Sequence, residues 1–238
     1  MTLSNFRKDA REKLAGKWGK AVCITLVYII IAIVLLFLNK NIKGSIKGVI
    51  LIFEFIIMIP LSFGFAMSFL KLFKSEEVGV FDFLKHGFNN FGKSWSIAWN
   101  TFLKMVWPIL LMILAIVILG VSAWTSIISG NISITTISGL GIVGIISAVL
   151  VIISVIWAIC LSYYYTLANF IAIENEEMTG LEAVEESRNK MEGKRAKLFL
   201  LELSFIGWMI LGALSLGIGM LWVIPYIQFA TISFYKNI

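Results

Sequence analysis

Six long apolar stretches, separated by basic amphipathic segments, constrain this 238-residue chain more than any other feature. About 59% of the residues are apolar and only 14% are charged, whereas soluble domains are roughly half apolar and a quarter charged. Crossing the hydrocarbon core of a bilayer takes about 20 apolar residues in a helix. The sequence therefore predicts an all-α polytopic membrane protein with about six transmembrane helices in a single domain, 1–238.

The predicted spans follow the apolar runs. They are 21–38, 49–70, 105–128, 140–172, 198–216 and 217–235. The fourth is too long for one perpendicular crossing, which predicts tilt or an extension past the interface. The last two belong to one apolar block, which we divide at 215–219 because its glycines permit a tight turn. One bent span over 198–235 is the alternative.

The positions of lysine and arginine predict the orientation. Of the 20 basic residues, 17 lie on one side of the membrane if there are six spans, and three (Lys40, Lys43 and Lys47) lie on the other. The majority side includes both ends of the chain. We therefore expect both termini in the cytoplasm, in a multi-pass protein of the cell membrane.

A Gly-Lys pair recurs three times, at 16–17, 92–93 and 193–194. Each pair closes a short amphipathic segment that leads into a span. This recurrence predicts three repeats (1–70, 71–172 and 173–238), each made of a surface helix, a span and a return span. The apolar stripes of the surface helices are Leu3, Phe6, Ala10, Leu14 and Trp18; Val80, Leu84, Phe88, Phe91 and Trp95; and Leu181, Val184 and Met191.

Helices of this kind lie in the membrane interface, with the apolar face toward the acyl chains and basic groups among anionic headgroups. We predict that each Gly acts as a cap or elbow at a helix end. We predict lipid headgroup contacts for Lys17, Lys93, Lys194 and Arg195. A docking surface for another protein is the alternative use of these helices.

Motifs of enzymes and cofactor sites are missing from the sequence. It contains neither a Gly-x-Ser-x-Gly elbow nor a Walker loop. The single histidine, His86, has no Cys or second His near it and does not predict a zinc site. The acidic group Glu174, Glu176 and Glu177 is interpreted as a solvated helix start. We expect no enzymatic activity, no metal and no cofactor.

Two carboxylates inside predicted spans are the best candidates for function, because ionisable groups in the bilayer are costly and often functional. Glu54 lies near the external side of the second span, and Glu202 lies near the cytoplasmic side of the fifth. They are at different depths and are not expected to form one site. Each has a packing or snorkelling role as the alternative.

Several motifs of the chain resemble those of a known protein family. They are Ala10-Arg11-x-x-Leu14-x-Gly16-x-Trp18, Ser187-Arg188-x-x-Met191-x-Gly193-x-Arg195, Leu203-Ser204-Phe205-Ile206-Gly207-Trp208 and Gly217-Ile218-Gly219-x-x-Trp222-x-x-Pro225-Tyr226. Together they resemble a bacterial membrane-protein family known as domain of unknown function 975, over essentially the whole chain. The resemblance implies a multi-span membrane protein, mostly of Gram-positive bacteria, without an established activity.

Two functions follow from these observations. The first is a non-enzymatic membrane scaffold or accessory subunit, with anionic lipids on the cytoplasmic side, a membrane-protein partner or homo-oligomer, and no nucleic acid. The alternative is a small transporter or channel, for an ion or for a lipidic or apolar substrate, that uses Glu54 or Glu202.

Overall fold

The computed structural model describes residues 2–41, 46–128 and 134–238, and the elements in these ranges are helices. They are α1 (Leu3–Leu14), α2 (Trp18–Asn41), α3 (Ile46–Phe73), α4 (Asp82–Asn89), α5 (Phe91–Ile128), α6 (Ile134–Tyr165), α7 (Ala168–Glu174), α8 (Gly180–Met191), α9 (Arg195–Leu203), α10 (Ile206–Leu214) and α11 (Met220–Lys236). The prediction of an all-α chain is confirmed for these residues.

Five helical segments in the described part of the chain are long and apolar enough to cross a membrane. They are Trp18–Leu38, Lys47–Phe73, Phe91–Trp124, Gly141–Glu174 and Arg195–Leu214. They correspond to the first five predicted spans. The sixth predicted span coincides with α11, which has 17 residues and is not among the five.

Each of the two longest apolar runs is interrupted by a turn. In the fourth run, α6 ends at Tyr165, and α7 begins after a turn at Thr166 and Leu167. In the last block, Leu216 and Gly217 adopt positive φ angles of 56° and 84°, so α10 and α11 are separate helices. A turn at 215–219 therefore separates two helices, as the division required. That each part is a span of its own, and not one bent span, stays a prediction.

Two compact units make up the chain. The smaller one, Thr101–Tyr164, contains the greater parts of α5 and α6 and exposes apolar side chains along both, as at Trp107 and Ile145. The larger one comprises 1–100 and 165–238 and contains most of the buried core. The contacts described below lie within this larger unit.

Helix α1 packs on α11, which corrects the prediction that its apolar face lies on lipid. Phe6, Ala10 and Leu14 are fully buried, and the ring of Phe6 meets that of Phe234 edge-on, with 5.4 Å between centroids. The apolar stripe was identified correctly, but its partner is protein, because α11 presents a matching aromatic surface.

Helix α4 packs closely on α3 through two glycines. A Cβ added at Gly64 would lie 1.9 Å from the carbonyl oxygen of Phe83, and one added at Gly87 would lie 2.3 Å from that of Pro60. The buried face of α4 is therefore Phe83 and Gly87. Phe88 and Phe91 of the predicted lipid-facing stripe are exposed, and their contact with lipid stays a prediction.

Helix α8 packs on α7 and begins with a capping box. The backbone N–H of Thr179 donates to the Glu182 carboxylate at 2.8 Å, and the N–H of Glu182 donates to Thr179 Oγ1 at 3.3 Å. The first of these bonds and a further one from the Thr179 hydroxyl lower the pKa of Glu182. The exposed Leu181 lies outside the buried face formed by Gly180, Ala183, Val184, Ser187 and Met191.

Two of the three predicted glycine elbows are confirmed. Gly16 and Gly193 have φ angles of 75° and 71°, which are accessible to glycine at little cost, and they follow α1 and α8 as C-terminal caps. Gly92 differs, because α4 already ends at Asn89 and Gly92 lies in the first turn of α5.

Helix α7 and the C-terminal halves of α3 and α11 contact one another in the larger unit. Phe229 of α11 lies 6.0 Å from Phe69 and 5.5 Å from Phe73 between ring centroids. Phe170 of α7 stacks on Tyr235 at 5.8 Å. One short helix packs on each of these three helices: α4 on α3, α8 on α7 and α1 on α11.

Candidate functional site

A cavity of about 410 Å³ lies between α2, α3, the start of α7, α9 and α11. Small-molecule sites typically have volumes of this order. We call it the central cavity. Its lining residues are Tyr28, Ile29, Ser62, Phe65, Ala66, Thr166, Asn169, Phe170, Glu202, Ile224, Ile227, Gln228 and Thr231.

Three polar side chains give the central cavity its chemistry. Glu202 supplies a half-buried carboxylate from α9, and Asn169 and Gln228 supply half-buried amides from α7 and α11. Within the described residues, neither amide forms a hydrogen bond to another protein group. Each amide offers donors and an acceptor, so the cavity can bind a solute that carries both.

Two hydroxyl groups of the cavity, those of Ser62 and Thr231, already form hydrogen bonds within their own helices. Ser62 donates to the carbonyl of Ile59 at 2.8 Å, and Thr231 donates to that of Ile227 at 3.0 Å. Such bonds within a helix satisfy the hydroxyl donor but leave oxygen lone pairs. Glu202 is the charged group of the lining, and Asn169 and Gln228 supply its amides.

An ionic cluster joins the C-terminal ends of the three contacting helices. Glu174 Oε1 lies 2.5 Å from Nζ of Lys74 and 2.5 Å from Nζ of Lys236, and Tyr235 donates its hydroxyl to Oε2 at 2.9 Å. We call these four residues the Glu174 cluster. The Glu174 side chain is only 18% exposed, so its two cations replace much of the water it has lost.

The depth of the central cavity follows from the helix rise of 1.5 Å per residue. Ala66 lies eight residues before Lys74 of the Glu174 cluster, and Gln228 lies eight residues before Lys236. Asn169 lies only five residues before Glu174, and Thr231 lies only five residues before Lys236. The cavity therefore begins roughly 8 Å along the helices from the Glu174 cluster and reaches Ala66 and Gln228 at roughly 12 Å. Glu202 follows Lys194 by the same interval.

The predicted lipid contacts Lys17 and Lys93 both donate to backbone at helix ends. Lys17 Nζ lies 2.8 Å from the carbonyl oxygen of Leu72 and 2.8 Å from Ser75 Oγ, at the end of α3. Lys93 Nζ lies 2.8 Å from the carbonyl oxygen of Asn175, after α7. A cation at a helix C-terminus is favourable because the last carbonyls carry partial negative charge.

Burial lowers the pKa of the Lys17 ammonium, and the neighbouring Lys13 lowers it further. Lys194 is the N-cap residue of α9, and Arg195 is its first residue. Headgroup contact by these four basic residues stays a prediction.

One of the two predicted carboxylates lines the central cavity. Glu202 lines the central cavity, whereas Glu54 lies in the N-terminal half of α3 and does not line it. Of the two candidates, only Glu202 therefore belongs to the site described here.

Sequence reasoning missed the amides and misjudged Glu174. The interpretation of Glu174 as part of a solvated helix start is wrong, because it ends α7 and is paired with two lysines. The amides of Asn169 and Gln228 lie in otherwise apolar segments. A polar amide in a predicted span was the available signal.

His86 lies in the last turn of α4. Burial is the main cause that lowers its pKa, with nearby Lys71 and Lys85 acting in the same direction and Asp82 opposing them. In the part of the chain that the structure describes, no group of three His, Cys, Asp or Glu side chains is placed to hold a metal ion.

Comparison with known proteins identifies a family without an assigned activity. No curated protein and no solved structure matches the chain. The family model described as "Protein of unknown function (DUF975)" matches residues 1–238. This full-length match confirms the resemblance carried by the sequence motifs, and the chain belongs to the DUF975 family.

Proposed function

We propose that this membrane protein binds a small polar or cationic solute in the central cavity, as a step in moving that solute across the membrane. The supporting observation is a cavity among apolar helices that is lined by Glu202 and by two amides available for hydrogen bonding. Polar groups are expensive inside a bilayer, and they mark solute pathways there. The Glu202 carboxylate favours a cation.

The alternative of a scaffold or accessory subunit relied on the surface helices as a docking surface. The buried faces of α1 and α8 are already packed within the chain, so they are not available to a partner. This packing makes the solute-binding function the better supported of the two. We propose no enzymatic activity.

Native mass spectrometry of protein extracted gently from its own membrane tests the proposal. We expect the wild type to retain a small polar molecule, and Glu202→Gln to retain about tenfold less, since a hydrogen bond to a charged group contributes about 1.5–3 kcal/mol. Glu54→Gln makes the same chemical change outside the cavity and is expected to retain the wild-type amount. The released molecule is then tested for uptake into proteoliposomes.

Two results would contradict the proposal. One is equal retention by the wild type, Glu202→Gln and Glu54→Gln. The other is an empty protein with a second protein bound at fixed stoichiometry, which would favour the accessory subunit.

We further propose that both termini are cytoplasmic and that α9, α10 and α11 form a re-entrant hairpin. The ends of α3 and α11 meet in the Glu174 cluster, yet α3 is about 42 Å long and α11 about 26 Å. The charged cluster belongs outside the hydrocarbon core, which is about 30 Å thick. From there α11 is too short to cross the core, so its N-terminal tip lies inside the core.

The composition of the hairpin tip supports this arrangement. From 203 to 235 the sequence has no charged residue, and at the tip Leu214 is 75% and Leu216 is 94% exposed. Exposed leucines are costly in water and favourable in lipid. The hairpin would return α11 to the side from which α9 enters, so the predicted location of both termini does not depend on a sixth span.

Cysteine labelling of intact cells tests this topology. Cys23 and Cys160 are exposed and are first replaced by alanine. We expect an impermeant maleimide to label a cysteine at Ser129 from outside, a cysteine at Glu177 only after permeabilisation, and a cysteine at Leu216 in neither case. Labelling at Leu216 from outside would show that α11 crosses the membrane completely.

A further inference from the structure

A second pocket, distinct from the central cavity, lies where α1 and the start of α2 meet α10 and α11. Its volume is about 250 Å³, and it is lined by Arg11, Trp18, Trp208, Trp222, Val223 and Tyr226. We call it the tryptophan pocket. Three indole rings and a phenol ring around one small pocket favour a ligand with a long apolar part.

The tryptophan pocket has few polar groups, and they differ in whether they already form a hydrogen bond. The Tyr226 hydroxyl is already used, since it donates to the carbonyl oxygen of Arg7 at 3.2 Å. The Tyr226 ring is fixed edge-on against Trp18 and Phe205, with centroid distances of 6.4 and 4.9 Å. The guanidinium of the exposed residue Arg11 is the charged group of the lining.

The pocket opens toward a surface suited to lipid. Trp208 is 55% and Trp222 is 49% exposed, and the neighbouring side chains of α10 are exposed and apolar, namely Ile206, Met209, Ile210 and Leu211. A water-soluble ligand would find little to bind on such a surface. A lipid reaches it directly from the bilayer.

We propose that the tryptophan pocket binds one anionic phospholipid. An acyl chain lies against Trp208 and Trp222, and the headgroup phosphate binds Arg11. A guanidinium forms two parallel hydrogen bonds to phosphate oxygens. Arg11 belongs to a helix that keeps a net positive charge, because Arg7, Lys8, Arg11 and Lys13 outnumber Asp9 and Glu12. This positive charge favours an anionic headgroup over a zwitterionic one.

The position of the pocket connects it to α11. Val223 and Tyr226 of α11 line the tryptophan pocket, while Ile224, Ile227 and Gln228 line the central cavity. A bound lipid would therefore stabilise the helix that forms one wall of the central cavity. The lipid site itself does not depend on the solute-binding function.

Native mass spectrometry of delipidated protein, titrated with phosphatidylglycerol or phosphatidylcholine of identical acyl chains, tests this proposal. We expect the wild type to bind one phosphatidylglycerol at least tenfold more tightly than phosphatidylcholine. Arg11→Gln is expected to lose this preference. Lys8→Gln is the matched control, because it removes one positive charge from the same helix at a side chain that is 71% exposed and outside the pocket.

A third variant, Trp222→Leu, tests the apolar part and is expected to weaken the binding of both lipids. The unfolding temperature of each variant establishes that it is folded. Equal loss of phosphatidylglycerol by Arg11→Gln and Lys8→Gln would overturn the proposal, because it would indicate general attraction to the basic helix. Equal affinity of the wild type for the two lipids would also overturn it.

Discussion

Replacing Gly64 with alanine is expected to separate α4 from α3 and to lower the free energy of unfolding by about 2–3 kcal/mol, the upper range for overpacking a core. The added Cβ would lie 1.9 Å from the Phe83 carbonyl oxygen and 2.6 Å from the Gly87 backbone nitrogen. Both are backbone atoms of α4, so relief requires the whole helix to move. The effect is measured by thermal unfolding in detergent, followed by circular dichroism.

Gly92→Ala is the matched control for this prediction. Gly92 lies in α5, and a Cβ there would meet nothing within 4 Å. Its replacement should leave stability unchanged or raise it by up to about 1 kcal/mol, because alanine has the higher helix propensity. If α4 did not approach Gly64 closely, alanine at Gly64 would bring the same gain in helix propensity. A Gly64→Ala variant as stable as the wild type would therefore refute the close packing of α4 on α3.

Glu174→Gln is expected to lower the free energy of unfolding by about 2 kcal/mol, within the range for hydrogen bonds to charged groups. The substitution keeps the shape of the side chain but removes the charge that Lys74 and Lys236 share. The two ammonium groups then repel each other without a compensating anion. For a chain of this length, the corresponding decrease in unfolding temperature is roughly 4–8 °C.

The control for this second prediction is Glu177→Gln, which changes an exposed glutamate three residues away and should alter stability little. A double-mutant cycle with Lys236→Gln isolates the pairing. The double variant is expected to lose less stability than the sum of the two single variants. Strict additivity would show that Glu174 and Lys236 do not stabilise each other.

Much of the helical architecture was predictable, because the bilayer makes apolar run length informative. The predicted spans 21–38 and 49–70 lie within α2 and α3. The turn at 215–219 was identified from its glycines, and the structure places a positive φ angle at Gly217. These features depend on local backbone preference and composition, which the sequence carries directly.

Faces and partners were less predictable, because hydropathy records that a residue is apolar but not what covers it. The stripe containing Phe6 was assigned to lipid and is covered by α11. The stripe containing Phe88 was assigned to lipid, and Phe88 is exposed, but the pattern did not show that α4 also has a protein-facing side at Phe83 and Gly87. A close approach of two helices at a glycine depends on the shape of the backbone, and the pattern of apolar residues does not reveal it.

The candidate site shows the same division. The sequence identified Glu202 as an ionisable residue within an apolar run, which follows from composition alone. Its association with Asn169 and Gln228 required the structure, because the three residues come from different helices.

The sequence by itself determined that this chain is helical, how long its apolar helices are, and that it resembles the DUF975 family. Only the tertiary structure decided that α1 packs on α11, that Glu174 pairs with Lys74 and Lys236, and that a cavity with three strongly polar side chains lies between α2, α3, α7, α9 and α11. The physical reason is one of range. Helix formation and length depend on neighbouring residues, whereas packing and ion pairing join residues far apart in the sequence, as between Phe6 and Phe234.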